Sequence, residues 1–296
     1  MKVHCKISSI LFCFYICLCY SLFICQKSFS QKYEFGAGMG FMVYFGDLNS
    51  GTFEESLQIL HSGGQFFIRS QLIDRISVRA NILVGKVSGN DALSQEEWRR
   101  MRNLSFTSSI FEMSSILEWS FFRIRNNKFN EDVVRIYILG GGGVFRFNPS
   151  AIIDNIAYPL QPIGTEGQGM PGFSSKYKRW SGVFPLGGGM DIRLSDRWMI
   201  TPEIGMRYTM TDYLDDVSTS YVNYFELRAG NGDLAARLGN RMGEYLGQSE
   251  PVILPTGTQR GNPGANDIYI TAMIHLVYRF PNHDHRGETQ PCPTFK

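Results

Sequence analysis

The chain has 296 residues, with 29 Lys and Arg against 27 Asp and Glu, 31 glycines and 14% aromatic residues. Charged residues make up 19%, below the roughly 25% usual for soluble domains. Beyond residue 30 no run approaches about 18 consecutive apolar residues, which excludes a bundle of membrane helices but not a membrane barrel, whose apolar residues alternate.

Residues 1–30 read as a signal peptide. Lys2 and Lys6 precede an apolar run over 10–25, and Ser28-Phe29-Ser30 supplies small residues at a cleavage site that would leave Gln31 first. The length of the run keeps an uncleaved anchor as the alternative. Cys25 follows Phe23 and Ile24, too bulky for a lipoprotein site. Five of the six cysteines lie in this leader, so only Cys292 stays in the mature chain. No intramolecular disulfide is then possible, and a lone exported cysteine points to a partner or a free thiol. Removing the leader's Lys2, Lys6 and Lys27 leaves 26 basic against 27 acidic residues, a net charge of −1 that gives no case for nucleic acid.

Eight strands are predicted from period-two alternation. The first, 33–45, sets Tyr33, Phe35, Ala37, Met39, Phe41 and Val43 against Glu34, Gly36, Gly38 and Gly40. A loop over 46–63 leads to 64–72, with Phe66 and Ile68 opposite Gln65, Arg69 and Gln71. After a turn at Asp74-Arg75, 76–87 alternates most cleanly. Residues 88–103 are polar, with a short helix near 94–102. The strand 104–122 places Phe111, Met113, Leu117, Trp119 and Phe121 opposite Glu112, Ser114, Glu118 and Ser120; its apolar parity changes near Ser108-Ser109, which predicts a bulge. A turn over 123–131 precedes 132–147. A loop over 148–179 precedes 180–194, and Ser195-Asp196-Arg197 turns into 198–211. A connection over 212–266, with one helix at 232–246, leads to the closing strand 267–280. There Ile268, Ile270, Ala272, Ile274, Leu276, Tyr278 and Phe280 form one apolar face.

Long and short connections alternate, so the long ones fall on one side. The fold class that follows is an all-β, eight-stranded antiparallel transmembrane barrel over 31–280, with long extracellular loops, short periplasmic turns and both termini periplasmic. The polar tail 281–296 would hang in the periplasm, and Cys292 is its candidate point of partner attachment. Inward-facing charges are Glu34, Arg69, Arg79, Glu112, Glu118, Arg135, Asp191, Arg193, Glu203, Arg207 and Arg279. Eight strands enclose a space just wide enough for side chains, so these charges are expected to pair as a structural filling, with a channel as the alternative.

Few motifs point to chemistry. Asp215-Asp216 would want a histidine such as His61 to activate water, and adjacent loop aspartates are more often solvated or turn-forming. His283-Asp284-His285 is a weak metal pattern. The glycine runs 140–143 and 187–189 lack the Gly-Lys-Ser or Gly-Lys-Thr of a phosphate loop, and no Gly-x-Ser-x-Gly, His-Glu-x-x-His or paired-cysteine motif occurs. No catalytic, metal or cofactor site is expected, nor a small-molecule substrate.

The stretch Tyr44-Phe45-Gly46-Asp47-Leu48-Asn49 resembles the opening of a Bacteroidota outer-membrane barrel family that includes PorG-like components of type IX secretion. Residues 211–221, 234–241 and Gly261-Asn262-Pro263 resemble the same family. The resemblance implies a non-enzymatic outer-membrane component that contacts lipids and docks a periplasmic lipoprotein ring. A small porin or transporter, and an outer-membrane enzyme, are the alternatives.

Overall fold

The computed structural model describes residues 33–49, 52–126 and 131–280. The leader and the tail, with His283, Asp284, His285 and Cys292, lie outside the described residues. Nine strands follow in order: β1 (Tyr33–Phe45), β2 (His61–Ile73), β3 (Ile76–Asn90), β4 (Ser105–Asn126), β5 (Glu131–Ile153), β6 (Ile156–Pro159), β7 (Trp180–Arg193), β8 (Trp198–Thr209) and β9 (Ile268–Arg279). Eight of them form one antiparallel sheet in the order β1, β2, β3, β4, β5, β7, β8, β9. β9 pairs back with β1, from Glu34 opposite Arg279 to Phe45 opposite Ile268, and this closes the barrel. Closure leaves none of the eight staves with an open edge, the condition for a sheet to sit in hydrocarbon.

Alternation along each stave sorts side chains between wall and interior. The outer wall is apolar and exposed, with Met39 at 76%, Ile204 at 64% and Ile274 at 62% of full exposure. The inner face of the barrel carries buried Gln65 and Arg69 on β2, Glu118 on β4 and Glu203 on β8. This inside-out arrangement, apolar out and polar in, is that of a transmembrane barrel. Near the end that holds the short turns, Trp119, Trp198, Tyr278 and Phe280 stand on the wall, and Tyr278 packs edge-on against both Trp198 and Phe280.

Three expectations are corrected. The strand 104–122 has no bulge at Ser108-Ser109: β3 and β4 stay in register through Lys86 opposite Ser109 and Val87 opposite Ser108. Phe106 and Ile110 still point inward, because the interior itself turns apolar at that height. The breaks in β4 come later, at Ser120/Phe122 and Ile124/Arg125. Second, the loop expected over 148–179 begins as a hairpin, since β5 continues to Ile153 and turns through Asp154 and Asn155, both at positive φ, into β6. Third, the single helix at 232–246 is split into α5 (Asp233–Gly239) and α6 (Met242–Tyr245) and preceded by α4 (Tyr224–Asn231), to which α1 (Phe53–Gln58), α2 (Glu97–Arg102) and α3 (Leu160–Ile163) add short turns in the other loops. Asn240 makes the break between α5 and α6. It is extended, its amide donates to the Val252 carbonyl at 2.9 Å, and its oxygen accepts from the Met242 N–H at 3.1 Å.

Candidate functional site

Among the described residues two polar constellations are buried, one inside the barrel and one where the long loops meet its rim.

Inside, β1, β2, β3, β4, β5, β7, β8 and β9 all present charges to the same narrow space. Arg279 donates to Glu34 at 2.9 Å, and Glu34 takes the Arg69 guanidinium at 2.6 Å. Arg69 reaches Glu118 at 3.1 Å and Asp191 at 3.2 Å. Arg135 donates to Asp191 at 2.7 Å. One level up, Arg79 grips both oxygens of Glu203 at 2.7 and 3.1 Å, and Tyr137 donates to the same carboxylate at 2.8 Å. Arg207 then faces Glu112 at 3.6 Å, which also accepts from Tyr269 at 2.8 Å and Ser114 at 2.7 Å. Arg193 is half-buried at the turn end of β7. The cations of this ladder are all arginines, whose planar fork meets carboxylates two bonds at a time.

Glycine makes part of the ladder possible. The inner position of Gly36 is filled by the Phe67 ring, so a β-carbon there would overlap it. That ring in turn lies 4.6 Å from the Arg79 guanidinium and 5.6 Å from that of Arg69. At the turn-end mouth, Glu34, Arg135, Asp191, Met199 and Arg279 line a recess of about 30 Å³, room for about one water.

Above Glu112 the interior changes character. Met42, Leu83, Val87, Phe106, Ile110, Phe145, Phe147 and Met273 form a buried apolar cluster continuous with Leu48, Leu160, Leu214, Val217 and Leu238 of the loops. The loops therefore descend into the rim and plug it. An aromatic stack runs through this plug: Phe147 and Tyr177 at 6.1 Å, Tyr177 and Tyr213 at 4.5 Å, nearly parallel in both cases.

The second constellation ties the plug down. Tyr44, at the end of β1, is fully buried with its hydroxyl 2.6 Å from Asp215 and 2.8 Å from Asp267. A phenol has one hydrogen, so one of these two contacts is made by a proton on a carboxyl. Burial and the neighbouring Asp267 charge push Asp215 well above the usual carboxylate range, and burial together with Asp212 does the same for Asp267. Gly46 keeps the space open, since a β-carbon would run into the Tyr44 hydroxyl and the Asp267 carboxylate. Asp216 turns the other way, with φ at +69°, and accepts from Thr165 at 2.5 Å and Tyr177 at 2.6 Å. Burial raises it to about 6. Half-buried Asp212 is raised to about 7 by desolvation.

Two buried arginines complete the knot. Arg260 donates to Glu166 at 2.9 Å and to the Asp216 carbonyl at 2.8 Å. Glu166 also accepts from the Ser218 and Thr219 N–H groups at 3.0 and 3.1 Å. Arg102 grips both oxygens of Asp91 at 2.7 Å and donates to the carbonyls of Arg260 and Asp47, each at 2.7 Å. The Asp47 carboxylate accepts from the Asn262 N–H at 2.8 Å. The stretches 44–49, 211–221, 234–241 and 261–263, far apart in sequence, thus converge on one knot.

Asp215 and Asp216 are buried rather than solvated, and their carboxylates serve different partners. His61 bonds Ser88 at 2.8 Å and makes no bond to either aspartate. The glycine runs lie in the paired strands β5 and β7, staggered so that Gly140 faces Leu186 and Gly187 faces Leu139, and away from any helix start. Sequence reasoning missed Tyr44, Glu166, Arg260 and Asp267. Tyr44 lies in a family-like stretch and Arg260 borders one, but Glu166 and Asp267 lie outside them all, since a buried charge outside a periodic strand has no local signature.

A family model described as a domain of unknown function (DUF6089) matches residues 11–162, half of the chain. No curated protein matches the sequence. Among solved structures, neisserial surface protein A is similar at 5% identity and a TM-score of 0.42, covering 86% of this chain and 100% of its own. Ail, the attachment invasion locus protein of Yersinia pestis, follows at 11% identity and a TM-score of 0.38, covering 84% and 99%. The N-terminal barrel domain of Pseudomonas aeruginosa OprF gives 8% identity and 0.33, covering 85% and 98%.

Proposed function

The chain belongs to the DUF6089 family, and on that premise we propose that it is a closed, non-enzymatic barrel of the bacterial outer membrane. It would work as a structural component and not as a pore. The observation that carries this reading is the filling of the barrel along its length: an arginine–carboxylate ladder below and an apolar plug above, with a recess of about 30 Å³ at the turn-end mouth. An ion crossing it would have to break several buried pairs, each costing about 3–5 kcal/mol. The aspartates at 215 and 216 are engaged in holding the loops, which favours architecture over catalysis.

The finer reading rests on the resemblance of 44–49, 211–221, 234–241 and 261–263 to PorG-like barrels. It makes the protein a component of type IX secretion in a bacterium of the Bacteroidota, with long loops outside, both termini in the periplasm and the turn end docked on a periplasmic lipoprotein ring. A clean deletion should then abolish export of type IX cargo while leaving other outer-membrane proteins in place; normal cargo in the medium would refute it. The porin alternative is separated by planar-bilayer recording of the purified barrel. Baseline conductance is expected, and steady single-channel steps would favour a pore.

A further inference from the structure

The outer wall holds one feature that the filling of the barrel does not use. Between the aromatic residues at the turn end and the loops, the outward-facing strand positions among the described residues carry two charges, Lys86 on β3 and Arg146 on β5. Both are cations, and both are exposed. Lys86 continues the outward series of Ile82 and Val84, and Arg146 that of Ile138 and Val144. Neither is paired with an acid among the described residues.

Register puts the two side by side. Lys86 lies opposite Ser109, the next outward residue along β4 is Phe111, and Phe111 lies opposite Arg146. Arg146 in turn lies opposite Trp180 of β7, which is half exposed on the wall, and exposed Lys178 comes two residues before Trp180. Lys86 and Arg146 therefore stand two strand spacings apart, about 10 Å, and Lys178 beside β7 adds a third spacing of about 5 Å, within reach of long side chains. On the other side of the barrel, the outward residues near the loops are Phe45, Tyr208 and Ile268, without charge.

The height of the row is also set. Along β4 the wall runs from Trp119 at the turn end to Ser109 beside Lys86. At about 3.3 Å per residue this is roughly 33 Å of strand, or about 25 Å of membrane depth at a tilt near 40°, the height of the apolar band of such barrels. Lys86 and Arg146 stand where hydrocarbon gives way to headgroups, with an indole beside them as interfacial anchor.

We propose that Lys86, Arg146 and Lys178 form a docking row for the phosphate-bearing headgroup of a lipid in the loop-side leaflet. Unpaired cations at headgroup depth, on one side of an otherwise uncharged wall, match an anionic lipid seated against β3, β4 and β5. The proposal rests on the reading that the loops face outward, where the phosphate-bearing lipid would belong to the outer leaflet.

The test is native mass spectrometry of the mature barrel released from micelles doped with bisphosphorylated lipid A or with its dephosphorylated form. Wild type should retain the phosphorylated lipid selectively. One basic residue at an anionic membrane surface is worth about a fivefold change in affinity. The K86Q/R146Q double variant should therefore lose roughly thirtyfold, while R228Q, in α4 and away from the wall, should behave as wild type. Heat-dependent gel mobility confirms that each variant is folded. Equal retention by wild type and the double variant, equal retention of both lipids, or an equal loss in R228Q would overturn the proposal. Labelling of Ser175→Cys in a Cys292→Ser background on intact cells separates the two readings. Reaction without permeabilisation supports outward loops, and reaction only after it overturns them independently of the lipid result.

Discussion

The two halves of the barrel interior solve one packing problem in opposite ways. The turn-end half is filled by Arg69, Arg79, Arg135, Glu118, Asp191 and Glu203, whose pairing is fixed by strand register. The loop-end half is filled by Phe145, Phe147, Leu83 and Met42 against side chains from the loops. The ladder is local to the strands and demands matched partners, since an orphaned buried charge is far costlier than a missing contact. The plug tolerates imprecise geometry but requires the loops to be held in place, which is the work of Tyr44, Arg102 and Arg260. A barrel fully charged inside would not need its loops to fold. One half apolar inside must keep them.

The sharpest way to break the ladder half is at the Arg79–Glu203 pair. E203A leaves the Arg79 guanidinium buried with Glu118 alone, at 3.4 Å, and should cost about 3–5 kcal/mol in chemical unfolding of the micellar protein. Replacing both partners by apolar residues of similar size, R79M with E203L, should recover most of the loss. A double variant as unstable as the sum of its singles would mean that the pair contributes by packing and not by charge compensation.

The plug half breaks at its tether. Tyr44→Phe removes the hydroxyl that bridges Asp215 and Asp267 and leaves two buried carboxyls facing each other across the gap. Losing one partner of a buried hydrogen bond costs about 1–3 kcal/mol. Gly46→Ala should cost a similar amount by forcing the same contact apart from the other side. Because both act on one contact, Y44F and G46A together should cost less than their sum. Limited proteolysis should cut first within 212–266 in either variant, with the β-strands intact. Cleavage in the strands first would place the weak point in the barrel wall.

The sequence makes these halves unequally legible. Period two sorted the wall from the ladder, because Ile68 next to Arg69, or Leu117 next to Glu118, has one physical arrangement in a membrane barrel. The plug defeats the same rule. At Phe106 and Ile110 the inward face becomes apolar, so a change of environment looks like a slip in parity. The β5–β6 hairpin was missed although Asp154-Asn155, both at positive φ, is a pair suited to a two-residue turn. The knot was invisible for another reason. Glu166 and Arg260 are buried because of each other, and nothing within ten residues of either announces the partner.

The gentlest test uses protons. In the unfolded chain Asp216 and Asp212 would titrate near the ordinary value of about 4. In the folded plug they are raised to about 6 and about 7, by burial. Between those limits the native loops hold more protons than the unfolded ones, so the stability these groups contribute is complete below about pH 4 and is lost as pH rises through 6 to 7. Groups facing Asp216 are Thr165, Tyr177, Arg260 and Glu166; those near Asp212 are Asp47 and Glu166. Hydrogen exchange over 211–221, corrected for its intrinsic pH dependence, should show weaker protection at pH 8 than at pH 5. The strands of the barrel should show no such change. Asp216→Asn should remove the step near pH 6 and keep the one near 7, because an amide accepts from one of the Thr165 and Tyr177 hydroxyls and donates to the other, as a neutral carboxyl does, without gaining a charge. Protection that is flat from pH 5 to 8 would show that these carboxyls are not neutral in the folded plug, and the hydrogen-bond pattern around Asp216 would then need a charged acceptor compensated by Arg260.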